Sequence, residues 1–331
     1  MRKRIWIPEA PFILKDRPGS VQISIPPVRI RGIFSWELLD KRTNIVVRSG
    51  RGDNIVTNVG MNMLGNLNGL NNDLGYFAVG QGTVAEAATD TTLGSELART
   101  NNNGGVADIS SYTGTSYSSF IRTRIFTQAQ ANGNLTEIGI FNASSGGSMY
   151  CRQLIKDETG TPTTITKTSE FELRVSYELR WYLPTDSDYN ILVDGISRAV
   201  RSRPAYFGFG WKPQGGFDQS AGGTTGIISS FLCLGPLVAI TDIPASDAQQ
   251  NGFNQTTGHE PYVAGSYQLL VHSRWGSTIA NGKNYQTILT GFGGQRNLVF
   301  QHQLLDGFTI TKNSTQRFDI DHKVTWARYT P

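Results

Sequence analysis

The first residues to consider for chemistry are the glycines of a segment that could bind a dinucleotide. Gly80-Gln81-Gly82-Thr83-Val84-Ala85 follows the strand-like stretch YFAV and fits the pattern GxGxxA, in which glycines let a pyrophosphate approach a helix start. The segment that follows, AEAATDTTLGSEL, contains a turn-like Thr-Asp-Thr-Thr, and no second buried strand ends in an acidic residue at the required distance. We therefore expect no nucleotide site and no cofactor.

Two groups of residues could hold a metal ion. Asp186, Asp188, Asn190 and Asp194 resemble the start of a calcium-binding loop, but the sixth position, where glycine is needed, is Ile191. The four histidines are His259, His272, His302 and His322. They lack the spacing of a zinc motif, although three of them lie on candidate strands of one domain. We expect a solvated acidic linker and no metal, with a looser calcium or histidine site as the open alternative.

A nucleophile with a neighbouring base is not visible in the sequence. No GxSxG segment occurs, and the two cysteines, Cys151 and Cys233, have no histidine at a matching position. Paired carboxylates for glycoside cleavage depend on spatial distance, so a polysaccharide-degrading enzyme is an open alternative. The acidic residues fall mostly in loops or on polar strand faces, and we expect a protein that is not an enzyme.

Aromatic residues in loops are candidate recognition sites, because they have an apolar body and a polar edge. The candidates for loop recognition are Tyr112, Tyr117, Trp211 and Phe217. The alternative is that these side chains pack beneath their own loops.

The N-terminus carries the positive charge of the chain. Residues 1–60 hold eleven Lys and Arg against five Asp and Glu, a net of +6, whereas the whole chain has +4. Prolines break any helix in residues 1–27, which predicts an extended arm that a partner would order. The candidate docking residues for an acidic partner surface are Arg2, Lys3, Arg4, Trp6, Arg29 and Arg31. A solvated basic arm is the alternative, and nucleic acid is not an expected partner because no basic stripe with interleaved aromatics occurs.

The composition predicts the elements that must position these residues. Only 17% of residues are charged, 37 are glycine, and the apolar residues fall in short runs, which is typical of many short strands joined by turns. Residues 30–38 and 45–47 predict a β-hairpin, and Asn54–Leu67 predicts one short helix capped by Thr57 or Asn58. The tripeptide Arg51-Gly52-Asp53 is interpreted as a turn between two strands.

The chain contains no apolar run that could cross a bilayer. The longest apolar stretch, 231–240, is too short and contains Gly-Pro, and the basic N-terminus is not followed by the apolar segment of a signal peptide. Two cysteines do not make a disulfide framework. We expect no membrane association, buried reduced thiols, and assembly in a reducing cytoplasm.

An internal repeat is the strongest organisational feature. Residues 165–181 (ITKTSEFELRVSYELRW) and 310–326 (ITKNSTQRFDIDHKVTW) share five identities at a constant offset, and both alternate with the period of a strand. Looser echoes include Ala131-Asn132-Gly133 with Ala280-Asn281-Gly282. Upstream, 75–80 is matched to 204–210. Lys167 and Lys312, which the repeat shares, are predicted to mark edge positions or strand starts.

These observations predict an all-β fold. We expect two related antiparallel β-sandwich-like domains with an extended N-terminal arm and one short helix. The predicted boundaries are 1–70 for the arm, hairpin and helix, 71–184 for the first β-domain, 185–202 for a linker, and 203–331 for the second, repeat-related β-domain.

Three segments of the chain resemble a recurring pattern of tailed-bacteriophage virion structural proteins. They are GYFAVGQGTVAEAATDTTLGSEL, LTEIGIFNASSGGSMYCRQLI and ITKTSEFELRVSYEL. The matching residues are Gly80, Gly82, Asp90, Thr91, Leu93, Gly94, Leu97, Glu137, Gly139, Phe141, Gly147, Met149, Arg152, Ile165, Lys167, Leu173, Val175, Tyr177 and Leu179. The resemblance covers residues 30–184, while the second domain keeps only the closing strand.

The resemblance implies a structural role without catalytic residues, in a tail fibre, baseplate or collar element of the phage tail. It implies other virion proteins and further copies of the chain as partners, in a particle assembled in the host cytoplasm. We expect docking through the arm and loops, with rotational symmetry among the copies. The alternative is a module at a fibre tip that binds a host surface receptor or a polysaccharide.

Overall fold

The computed structural model describes residues 21–24, 27–65, 70–112, 117–182, 184–193, 196–205, 229–237, 256–259, 262–292 and 298–330. Strands account for most of these residues, so the predicted all-β, sandwich-like fold is confirmed.

The secondary-structure elements follow one another as a long series of strands with two short helices near the start. In chain order they are β1 (Val21–Ser24), β2 (Val28–Asp40), β3 (Ile45–Val56), α1 (Asn58–Met63), α2 (Leu70–Asp73), β4 (Tyr76–Gly80), β5 (Glu96–Thr100), β6 (Ile109–Tyr112), β7 (Tyr117–Phe126), β8 (Gly133–Leu135), β9 (Glu137–Phe141), β10 (Met149–Leu154), β11 (Ile165–Lys167), β12 (Phe171–Tyr182), β13 (Ser187–Val193), β14 (Ile196–Ala205), β15 (Ser229–Cys233), β16 (Thr256–His259), β17 (Gln268–Trp275), β18 (Asn284–Tyr285), β19 (Thr287–Phe292), β20 (Leu298–Leu304), β21 (Ile310–Thr311) and β22 (Phe318–Arg328).

The chain forms two compact units. The first unit contains the described residues of 29–182 together with 327–330, and the second contains the described residues of 21–28 and 184–326. Strands β2 to β12 therefore belong to the first unit, and β1 and β13 to β22 belong to the second.

The first unit is a sandwich whose strands follow the order β6-β7-β12-β2-β3-β10-β9-β4-β5. Strand β3 pairs with β2 along most of its length and then with β10 at Ile55 and Val56, so it continues from one layer into the other. The two layers bury aromatic rings against each other, with Phe34 edge-on to Phe77 at 6.3 Å between ring centroids. Such pairs contribute beyond the area that they bury.

Strand β12 shows why the sequence alternates as it does. Leu173, Val175, Tyr177 and Leu179 are buried, and the residues between them are partly exposed. The strand pairs with β2 on one side and with β7 on the other along nearly its whole length. A central strand with one buried face requires this period of two, as the repeat predicted.

The predicted helix is present but shorter than expected. Helix α1 begins after Thr57, whose side-chain oxygen accepts a hydrogen bond from the Gly60 N–H at 2.9 Å, and this N-cap was one of the two predicted. Residues 54–56 stay in β3 because they pair with β2 and β10. The interpretation of Arg51-Gly52-Asp53 as a turn is wrong, since these residues lie inside β3.

The second unit has two facing sheets and a separate two-stranded sheet, β18–β21. One of the facing sheets has the order β13-β14-β20-β19-β15, and in the other β17 lies between β16 and β22. Strand β1 adds to β22 in parallel, with Val21 opposite Ile320. Of residues 185–202, predicted as a linker, 187–193 and 196–202 instead belong to strands β13 and β14, which pair as a hairpin. Their polar composition follows from exposure of one face of this hairpin rather than from a disordered connection.

The strand pairings of the two units confirm the internal repeat. The β9–β10 hairpin corresponds to β19–β20, β8–β11 to β18–β21, and β7–β12 to β17–β22. Two connecting hydrogen bonds also correspond, since Thr136 donates to the Gly80 carbonyl as Gln286 donates to that of Cys233.

One predicted match within the repeat is wrong. Residues 76–80 correspond to 229–233, because β4 pairs with β9 in the same register as β15 pairs with β19. Of the match proposed at 204–210, Pro204 and Ala205 end β14, and the rest lies outside the described residues. A shared Tyr-Phe pair suggested the wrong alignment, whereas the pairing pattern identifies the right strand without any sequence identity.

Candidate functional site

The motif segments of the first unit meet at one buried carboxylate. Glu137 begins β9 and is fully buried. Its Oε1 accepts hydrogen bonds from the N–H groups of Gly82 at 2.9 Å and Ser95 at 2.8 Å, and its Oε2 accepts from Gly94 at 3.0 Å. Residues 82–95 thus form a loop that is fastened to the sheet through backbone N–H groups.

Arg152 completes this arrangement from the neighbouring strand β10. Its Nε donates to Glu137 at 3.0 Å, its Nη1 donates to Asp90 at 2.8 Å, and its Nη2 donates to the carbonyl of Val84 at 2.8 Å. Burial alone would raise the pKa of Glu137, but the N–H groups of Ser95 and Gly94, Arg152 and a third N–H hold this pKa below its ordinary value. A buried ion pair is tolerated when its hydrogen bonds are satisfied in this way. We name Glu137, Arg152 and Asp90 the loop clasp.

The loop clasp accounts for the glycines of the GxGxxA segment. A Cβ atom at Gly82 would lie 2.4 Å from Glu137 Oε1, and one at Gly80 would lie 2.4 Å from the Ser95 carbonyl oxygen. The N–H group of Gly82 is used by the protein's own carboxylate rather than by a phosphate. The segment therefore has a structural use for its glycines.

Each unit also contains a buried lysine that holds a turn. Lys167 Nζ donates to the Thr127 carbonyl and to Asn132 Oδ1, both at 2.9 Å. Lys312 Nζ donates to the Ile279 carbonyl and to Asn281 Oδ1, both at 2.6 Å. Burial lowers the pKa of Lys167 to about 8 and also lowers the pKa of Lys312.

These two sets of hydrogen bonds, the lysine clamps, correct the prediction that both residues mark strand starts, since Lys167 ends β11 and Lys312 follows β21. Lys167 is 1% exposed and Lys312 is 3% exposed. The clamps also explain the repeated Ala-Asn-Gly, because Ala131 and Ala280 both have φ of 57° in the turn that the lysine holds. Buried carbonyl groups need a donor, and the ammonium supplies it.

The predicted docking residues lie partly outside the described residues. Those outside are Arg2, Lys3, Arg4 and Trp6 of the arm and Trp211 and Phe217 of the loop set. Arg29 lies on β2 and is exposed. Tyr112 ends β6, and its side chain is not described.

Two predicted residues, Arg31 and Tyr117, belong to one surface cluster of the first unit. The ring of Tyr182 lies 4.1 Å from that of Tyr329 and 5.3 Å from that of Tyr117, measured between centroids. The Arg31 guanidinium lies over Tyr329 at 5.5 Å, and that of Arg180 lies over Tyr117 at 4.3 Å. We name these five residues the Arg–Tyr cluster.

The Arg–Tyr cluster combines side chains that are frequent in protein-binding surfaces. All five residues are partly exposed. Arg31 is held by Asp53 through two hydrogen bonds of 3.0 and 2.6 Å, and this contact raises its pKa. The sequence pointed to Arg31 and Tyr117 separately, but Arg180, Tyr182 and Tyr329 were missed because only strand pairing brings them together.

Two histidines of the second unit lie close together in its interior. His302 and His322 are fully buried, with 6.1 Å between their ring centroids. His302 Nδ1 lies 2.5 Å from Ser202 Oγ, and His322 Nδ1 lies 3.1 Å from Thr290 Oγ1. His272 instead pairs with Asp321 at 2.5 Å. Across the described ranges, no three His, Cys, Asp or Glu side chains are grouped so that they could bind a metal ion.

The two cysteines are buried and unpaired, one in each unit. Burial raises the pKa of Cys151 well above its ordinary value and that of Cys233 to about 12. A reactive cysteine requires a thiolate, so neither side chain is poised for nucleophilic attack.

Comparison with known proteins identifies no relative. No family model matches the chain, and neither a curated protein nor a solved structure matches it. Among the helices of the described residues, none is both long and apolar enough to cross a bilayer.

Proposed function

We propose that the chain is a structural component of a bacteriophage particle, located in the tail as a fibre, baseplate or collar element. In this role its two units form an architectural scaffold, and its arm and loops contact other virion proteins and further copies of the chain.

The loop clasp is the observation that supports this proposal best. The resemblance to virion proteins includes Gly82, Gly94, Glu137 and Arg152, which are up to 70 positions apart in the sequence. In the structure all of them meet at one carboxylate, because Glu137 accepts hydrogen bonds from the N–H groups of Gly82 and Gly94 and from Arg152. Matching residues that together hold one loop in place support the resemblance more strongly than the same number of matches at positions that do not contact one another.

The surface of the first unit offers contact areas that fit such a scaffold. The tip of the β2–β3 hairpin exposes three consecutive aliphatic residues, with Ile45 at 60%, Val46 at 42% and Val47 at 47%. We name these residues the aliphatic tip. Contiguous exposed apolar residues and Arg–Tyr groups are both features of protein interfaces.

The location in a particle is tested by mass spectrometry and immunogold electron microscopy of purified phage particles encoded by the same genome. We expect peptides of this chain in the particles after density-gradient purification and gold label on their tails. Absence of the chain from particles that infect normally would refute the proposal.

The role of the arm is tested by light-scattering mass measurement of the purified chain, with and without residues 1–20, so that the truncated chain keeps β1. A defined oligomer of the full chain and a monomer of the truncated chain would identify the arm as the assembly element. Two compact monomers would contradict self-assembly through the arm and would leave docking on a different virion protein, which particle incorporation of the truncated chain then measures.

A further inference from the structure

The outward face of the first unit carries a row of hydroxyl groups across three strands. Ser176 of β12 lies opposite Thr123 of β7 on one side and opposite Ser35 of β2 on the other. The Thr123 and Ser176 oxygens are 2.8 Å apart. On β3, Arg51 lies opposite Ser35 and continues the row.

The neighbouring rows carry much longer side chains, so the hydroxyl row forms the floor of a trough. Glu37 and Arg174 lie opposite each other on one side of the row, and Glu178 follows on the other side. The resulting cavity has a volume of about 550 Å³, which is within the range of small-molecule sites. Because small residues occupy three adjacent strands at the same level, the trough runs across the strands.

Loops close the two ends of the trough. Val106 lies at the β7 end, and Glu158 lies at the β3 end, where it accepts a hydrogen bond from Ser49 Oγ. Four strands spaced at roughly 4.8 Å give the floor a length of about 14 Å between the outer strands.

The charged groups at the rim are held in place by neighbours. Arg51 Nη2 donates to Glu178 at 2.9 Å, and Arg174 Nε donates to Glu172 at 3.0 Å. Glu37 is exposed and has no hydrogen bond to another described residue that would occupy its carboxylate. Fixed donors and acceptors lower the entropy cost of binding a ligand.

The chemistry of the trough selects one class of ligand. Its hydroxyl groups both donate and accept, its two guanidinium groups donate, and the carboxylates of Glu37 and Glu158 accept. The two guanidinium groups are already paired with Glu178 and Glu172, so the carboxylates in and beside the trough outnumber them, which does not favour nucleic acid. No aromatic face is exposed in the trough, since Trp36 is only 2% exposed, and this does not favour an apolar ligand.

We propose that this trough binds a saccharide, with room for a short segment of an oligosaccharide chain. The hydroxyl row hydrogen-bonds to sugar hydroxyls from below, while Glu37 and Arg174 bind them from one side and Arg51 binds from the other. This inference goes beyond the architectural role and does not depend on it.

The test is saturation-transfer NMR of the full chain with a panel of oligosaccharides of two to six units. The panel contains hexoses, N-acetylhexosamines and hexuronic acids, together with an oligonucleotide and an acidic peptide as probes of other classes. We expect transfer to at least one saccharide and none to the other probes. Transfer to no saccharide, or to the oligonucleotide or peptide at the trough, overturns the proposal.

Two variants place the binding in the trough. Ser176→Phe fills the floor and is expected to weaken binding at least tenfold, while Glu37→Gln removes one exposed acceptor and is expected to weaken it less. The matched control is Asn190→Phe, which adds the same ring to an exposed position on β13 of the second unit. Equal binding by wild type and both trough variants would overturn the proposal. Particle incorporation of Ser176→Phe, measured in parallel, separates this result from the architectural role.

Discussion

The two units share a strand plan but bury different polar groups at equivalent positions. In the first unit Glu137 and Arg152 form a buried ion pair. The strand registers place Thr287 and Gln301 at these positions of the second unit, where both are fully buried and neutral. The sandwich therefore does not require the ion pair. We infer that the ion pair serves to hold the loop at residues 82–95.

Other buried positions show the reverse difference. Tyr177 of the first unit corresponds to His322 of the second, and the amide of Asn54 corresponds to the hydroxyl of Ser202. The second unit contains all four histidines of the chain. The same fold thus contains a buried ion pair in one unit and buried histidines in the other. The stability of the two units should therefore respond differently to mutation and to pH.

The largest expected effect comes from removing one partner of the ion pair. We expect Arg152→Met to destabilise the first unit by about 3–5 kcal/mol, because it leaves the Glu137 carboxylate buried without its cation. Hydrogen exchange measured on peptides of each unit locates the loss. Arg203→Met, which removes a surface ion pair with Asp186 in the second unit, should cost no more than about 1 kcal/mol. Equal losses in the two variants would contradict the assigned role of the clasp.

Acidification should affect the second unit selectively. Burial lowers the pKa of His302 from 6.5 to about 3, and burial together with His302 and His272 lowers that of His322. The unfolded chain therefore takes up protons near pH 6.5 while the folded unit does not, so stability is present above pH 6.5 and is lost as the pH falls. At pH 5 the loss from His302 alone is about 2 kcal/mol.

Urea unfolding followed by hydrogen exchange at pH 7 and pH 5 measures this difference. The control is His302→Gln, because Gln153 occupies the corresponding position of the first unit. In this variant the stability of the second unit should fall less between pH 7 and pH 5 than it does in the wild type. A first unit that weakens as much as the second on acidification would rule out the histidine interior as the cause.

The lysine clamps should behave alike in both units. We expect Lys167→Met and Lys312→Met each to cost about 1–3 kcal/mol in its own unit, because each leaves turn carbonyls buried without a donor. Thermal unfolding of each variant, together with hydrogen exchange of peptides from the two turns, measures the loss of stability in each unit. An effect in only one unit would mean that the shared lysine has lost its structural role in the other.

The smallest effect on stability is expected at the hairpin tips. Besides the aliphatic tip, the corresponding β13–β14 hairpin exposes Leu192 at 64% and Ile196 at 54%. We expect Ile45→Thr or Leu192→Thr to change stability by less than about 0.5 kcal/mol and to reduce self-association. Sedimentation velocity at increasing protein concentration measures this, and unchanged association in both variants would exclude the tips as contacts between copies.

Local patterns predicted much of this fold. The alternation of β12, the hairpin at β2 and β3 and the cap at Thr57 depend on neighbouring residues, which the sequence displays directly. The role of Lys167 and the match of 75–80 were mistaken, because both depend on which strands pair. The hydroxyl row of Ser35, Thr123 and Ser176 could not be predicted either, since a shift of one residue in any strand would turn its side chain to the other face.

The lysine clamps have a consequence for the order in which the chain folds. The clamp of the first unit joins residues only 35 to 40 positions apart, whereas β2 and β12 pair across about 140 positions. Closing a short loop costs less entropy than closing a long one, and local contacts form sooner. We therefore expect residues 117–182 to form a nucleus during synthesis, while the β2–β3 hairpin, although made first by the ribosome, waits for β12 before it can join the sheet.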